Sequence, residues 1–174
     1  MHCAYKTRVN EFDDTKASAL GDYVPAKLSM EQDEAVVAMA ATSDYSGYMV
    51  FFFENGRAAK VPVSAYRTQT NRKRLVGAYC DKFSLVRAVF IKEDCELLLT
   101  ASNNKALIVN TALIHVKTTK STQGVIVFTQ KGKNTLADVK AAETSEIENT
   151  DYYRTKAIPA VGHFLRDSDL KEPS

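Results

Sequence analysis

One segment recurs three times within 174 residues, and the recurrence limits the folds open to this chain. Each copy holds a strand-like run, a basic or polar loop, and a glycine that opens a second strand-like run. The clearest copy is Asn55-Gly56-Arg57-Ala58-Ala59-Lys60-Val61-Pro62-Val63, followed by Arg72-Lys73-Arg74-Leu75-Val76-Gly77-Ala78-Tyr79. It returns as Asn104-Lys105-Ala106-Leu107-Ile108-Val109-Asn110-Thr111, followed by Ser121-Thr122-Gln123-Gly124-Val125-Ile126-Val127. A fainter copy runs from Cys3 to Val9 and then from Ala19 to Val24. Aligning Cys3, Arg57 and Lys105 gives spacings of 54 and 48 residues, and the glycines at 21, 77 and 124 give 56 and 47. Periods near 50 predict an array of small sheets, each burying a face on its neighbour as in propellers and solenoids.

Within the repeat the pattern predicts strands almost throughout. Tyr48 to Phe53 and Arg57 to Val63 flank an Asn-Gly pair, a hairpin signal because both residues tolerate positive φ. Leu85 to Ile91, Glu96 to Ala101 and Lys105 to Asn110 are parted by turn-rich breaks, as are Val125 to Thr129 and Leu136 to Val139. The expected class is all-β, about three four-stranded units near 3–47, 48–101 and 102–140. Residues 141–174 read as an acidic linker or short helix, one more strand over Tyr152 to Pro159, and a poorly ordered tail from Arg166.

Charge is unevenly spread. Residues 57–133 carry 14 Lys/Arg against 4 Asp/Glu, and the remainder 9 against 17. A basic middle between acidic ends suggests a surface for a polyanion that the acidic segments modulate; a solvated lysine-rich face is the plainer alternative. Tyr48 to Phe53 is only strand-sized, so no membrane span is expected. Acidic residues follow the start closely, against a signal peptide, and three cysteines without metal-like spacing suit a reducing cytoplasm. No residue pattern points to a cofactor, metal or catalytic group: His115 stands alone, and Gln130-Lys131-Gly132-Lys133 is a turn rather than a phosphate-cradling loop.

Tyr48 to Val127 resembles the C-terminal domain of the A subunit of bacterial type IIA topoisomerases, DNA gyrase and topoisomerase IV. The likeness is carried by Phe51-Phe52-Phe53-Glu54-Asn55-Gly56-Arg57-Ala58-Ala59-Lys60-Val61-Pro62, by Asn104 to Asn110, and by Thr118 to Gly124. It implies a β-pinwheel, in which propeller-like blades exchange strands and a basic perimeter bends double-stranded DNA. It also implies a non-catalytic part of a longer, ATP-dependent subunit that works with topoisomerase catalytic domains and a B subunit. The family's gyrase-type box of glutamine, two arginines and paired glycines has no match; Asn71 to Gly77 stands there instead, favouring a topoisomerase IV-like or divergent gyrase-like subunit.

With that resemblance, the DNA-contacting candidates are the long cations of the inter-blade loops: Arg67, Arg72, Lys73, Arg74, Lys117 and Lys120, with Lys131 and Lys133 on a further turn. The plainer alternative for the loop cations is a solvated loop residue. Lys60 reads as a rim contact or as an exposed strand lysine that discourages edge pairing, and Lys105 as structural. The competing function is a propeller-like interaction or self-association module with an incidental basic face, in which open sheet edges favour a homodimer.

Overall fold

The computed structural model describes residues 2–70 and 73–170. Strand β1 (Cys3–Tyr5) is followed by a short helix α1 (Val24–Lys27), then β2 (Tyr48–Phe53), β3 (Arg57–Pro62) and β4 (Arg74–Val76). Next come β5 (Leu85–Ile91), β6 (Glu96–Ala101), β7 (Lys105–Asn110), β8 (Val125–Ile126), β9 (Leu136–Ala141), helix α2 (Thr150–Tyr153) and β10 (His163–Phe164).

The two hairpins repeat one another. β2 and β3 pair antiparallel from Tyr48↔Pro62 to Phe52↔Ala58, and β6 and β7 from Glu96↔Asn110 to Thr100↔Ala106. Asn104, at φ 61°, takes the left-handed turn position that Gly56 holds 48 residues earlier.

Strand order shows how the units interlock. The first four-stranded sheet runs β5-β2-β3-β8 and the second β10-β7-β6-β9, while β1 and β4 form a two-stranded ribbon. β4 follows β3 in sequence yet closes on β1; β8 follows β7 yet closes on β3; β10, after β9, closes on β7. Each unit therefore receives an outer strand from later in the chain.

β2 is buried on both faces, and its period of two sorts its side chains between cores. Val50 and Phe52 point into the space between the four-stranded sheets, with Leu97, Leu99, Leu107, Val109 and Phe128. Phe51 and Phe53 face the other way, with Ala59, Val61, Tyr66 and Leu75. A third core lies beyond the second sheet, where Leu98 and Ile108 meet Ile147 and Tyr153. Phe52, Phe53, Phe128 and Tyr153 are wholly buried, each such burial stabilising by about 1.5–3 kcal/mol.

Several expectations need correction. The first unit has two strands rather than four, because residues 24–47 hold no strand. The run from Tyr152 to Pro159 is not a strand: Thr150–Tyr153 is a helical turn that drives Tyr153 into the third core. The last strand is His163–Phe164, too short to show any alternation. The chain past Arg166 makes a 3-10 turn whose Asp169 is buried and accepts the Tyr153 hydroxyl at 2.7 Å. Lys60 is neither exposed nor on the rim, being 3% accessible and ion-paired to Asp94 at 2.5 Å.

Candidate nucleic-acid interface

The candidate cations form two groups set by the ends of β3. At its Pro62 end the chain turns through a 3-10 segment, Val63–Tyr66, and leaves at the exposed Arg67. The loop after β7 returns to the same place, where the Lys117 N–H donates to the Lys60 carbonyl at 2.9 Å. Residues 118–121 then line a surface cleft with Pro62, Ser64, Ala65 and Gly77.

Tyr66 ties these loops together. It is buried, and its hydroxyl donates to the Ala78 carbonyl at 2.6 Å, fixing the chain just beyond β4. The Lys120 ammonium lies 5.8 Å from the centre of its ring, a cation–π distance. Burial pushes the Tyr66 hydroxyl well above the usual tyrosine range, so it remains a donor. Lys120 thus sits at the buried ring, Arg67 follows that ring directly in the chain, and Lys117 is tied by its backbone to the same end of β3.

Lys73 and Arg74 join this neighbourhood through β4 but arrive already paired. Lys73 Nζ lies 3.2 Å from Glu11 Oε2, and Arg74 Nη2 lies 3.1 Å from Glu34 Oε1. Hydrogen bonds from the Tyr5 hydroxyl and the Glu31 N–H, with Arg74 beside them, pull the Glu34 carboxyl down to about 2. Glu34 and Tyr5 in turn hold the Arg74 guanidinium above its ordinary range.

Lys131 and Lys133 are elsewhere. Their turn is anchored at the hairpin end of β3, with Phe128 N bonded to Gly56 O and Leu136 N to Glu54 O. Six residues of β3 separate them from the Pro62 end by about 20 Å. Arg72 lies outside the described residues. Among the described residues, Arg67, Lys117, Lys120, Lys131 and Lys133 have no carboxylate at ion-pairing distance.

The other basic strand residues are internal ties. Arg57 Nη1 donates to the Gly124 carbonyl at 3.0 Å, locking the exchanged β8, and Lys105 lies 4.9 Å from the Phe164 ring on β10. Among the described residues no group of three or more His, Cys, Asp or Glu is placed to hold a metal, and no helix is long and apolar enough to cross a membrane. The chemistry on offer is ammonium, guanidinium and hydroxyl donors, which suit phosphate oxygens.

This strand-exchanged arrangement is similar to the crystal structure of the C-terminal domain of DNA topoisomerase IV. The TM-score is 0.63 at 20% identity, over 80% of this chain and 44% of that one. The fold is a β-pinwheel. The chain thus spans less than half the length of the topoisomerase IV domain it matches. It also aligns with the DNA gyrase A C-terminal domain (TM-score 0.49, 16% identity, 62% of this chain and 35% of that one). For the E. coli ParC C-terminal domain the values are 0.45, 14%, 63% and 45%. No protein-family profile and no curated protein sequence matches the chain.

The loops are legible in the sequence, but their aromatic and acidic partners are not. Nothing in the repeat marks Tyr66 as a platform, and Glu11 and Glu34 are 62 and 40 residues from the cations they meet.

Proposed function

We propose that this pinwheel is a non-catalytic DNA-binding and DNA-bending module of a type II topoisomerase A subunit in the cytoplasm. DNA cleavage, strand passage and ATP hydrolysis then reside in other domains and in a B subunit. The observation that carries the reading is the placement of Arg67, Lys117 and Lys120 on the loops at the Pro62 end of β3, with no carboxylate at ion-pairing distance among the described residues.

Duplex phosphates seated on these loops release counterions, which supplies affinity without reading bases. Lys131 and Lys133, about 20 Å away at the other end of β3, offer a second point of support. A duplex touching both groups spans about 20 Å of this surface. Smooth bending of a few tens of base pairs costs about 1–6 kcal/mol, which several phosphate contacts can offset.

The test is a duplex carrying a fluorophore at each end. Increased energy transfer on adding the chain supports bending; binding without a change in transfer removes the bending claim. An interaction module held by an apolar interface predicts self-association that does not fall steeply with salt.

A further inference from the structure

Two cations of the proposed interface are occupied by the chain's own acids. Glu34 is held in two prongs: Oε1 faces the Arg74 guanidinium, while Oε2 accepts the Tyr5 hydroxyl and the Glu31 N–H. Tyr5 and Arg74 sit opposite one another in the β1–β4 ribbon, so the seat is built by strand pairing. Glu11 takes Lys73 next to it. A guanidinium flanked by a hydroxyl and an ammonium is also what the two free oxygens of a phosphodiester would engage.

Both acids belong to residues 11–34, which carry seven carboxylates and two lysines. No residue of this segment is fully buried, and none belongs to the three apolar cores. Leu20 is fully exposed and Tyr23 is 74% exposed. Charge and hydrogen bonds, rather than apolar burial, hold the segment to the ribbon. Segments held in this way open at low free-energy cost.

We propose that residues 11–34 act as an internal polyanion, occupying Lys73 and Arg74 until duplex phosphates displace it. The inference rests on the DNA-binding reading. Affinity is then lowered by the fraction of chains in which the segment is seated. The salt slope is also shallower than the number of basic contacts implies, because each released carboxylate reacquires a cation as a phosphate gives one up.

Duplex titrations across salt, with the chain and its Glu11→Gln/Glu34→Gln variant, test this. The variant is expected to bind roughly three- to tenfold tighter at low salt, with a log–log slope steeper by up to about 2. Adding Lys73→Gln/Arg74→Gln should weaken the acid-neutralised chain more than the original chain. Equal affinity and slope, with both chains binding, would overturn the inference and leave the DNA reading intact. No binding by either chain overturns both. Hydrogen exchange on the unaltered chain gives an independent readout: amides of 11–34 should lose protection when duplex is added, and unchanged or increased protection contradicts displacement.

Discussion

Lys60 Nζ lies 2.5 Å from Asp94 Oδ1, joining β3 of one sheet to the turn that opens the hairpin of the next. The ammonium also donates to Thr111 O at 3.2 Å and lies 4.7 Å from the Tyr48 ring centre, and Lys60 as a residue is only 3% accessible. Thr111 Oγ1 donates to the same Asp94 oxygen at 2.7 Å and accepts the Cys95 N–H at 3.0 Å. The network fastens the two four-stranded units at their shared seam. Removing Asp94 strands a buried charge, whereas removing Lys60 leaves a carboxylate that faces solvent. Asp94→Ala should therefore lower stability by about 2–3 kcal/mol, with Lys60→Met milder, in urea unfolding.

Acid should weaken the β1–β4 ribbon first. Glu34, faced by Tyr5, Arg74 and Cys3, has its folded carboxyl pulled down to about 2 from the ordinary 4.5. A depressed carboxyl contributes stability above its unfolded value, and that contribution disappears as pH falls from about 4.5 through about 2. The urea midpoint of the original chain should fall over this window. Glu34→Gln should start lower at neutral pH and show a flatter acid limb.

Tyr66→Phe separates the structural part of the platform from the binding part. It deletes the bond to Ala78 O while keeping the ring beneath Lys120. The expected loss is about 0.5–1.5 kcal/mol of stability, with duplex affinity nearly unchanged. Lys120→Ala should do the reverse, and calorimetric unfolding beside a duplex titration distinguishes the two.

Strand exchange depends on the backbone at Gly124. With φ at +67°, an added Cβ there would lie 2.0 Å from the Ala58 carbonyl oxygen. The left-handed conformation alone costs a non-glycine residue about 1–2 kcal/mol, and the clash adds to it. Gly124→Ala should destabilise by about 3 kcal/mol or more. Gly77, at φ +68° with nothing within 4 Å of an added Cβ, should lose only the conformational part when changed to alanine. Urea unfolding of the two variants checks the contrast.

The hairpins were legible because Asn55-Gly56 and the runs on either side speak locally: β2, β5, β6 and β7 match the runs read from sequence. What escaped was non-local. The partner of β4 is β1, 69 or more residues earlier, and no period announces that pairing. Lys60 looked like any alternating strand lysine because its burial is created by Asp94 from the next unit. The two-residue β8 and β10 give no alternation to read, and Glu34 meets Arg74 only through the ribbon. The basic loops were visible as composition, but their division between the ends of β3 was not.

Salt dependence of duplex binding tests the central claim most directly, with the Arg67→Ala/Lys117→Ala/Lys120→Ala variant measured beside the unaltered chain. Loss of three phosphate contacts should weaken binding at low salt and flatten the log–log slope by about 2.7. An unchanged affinity and slope in a variant with an unchanged unfolding midpoint would contradict a DNA interface centred on Tyr66.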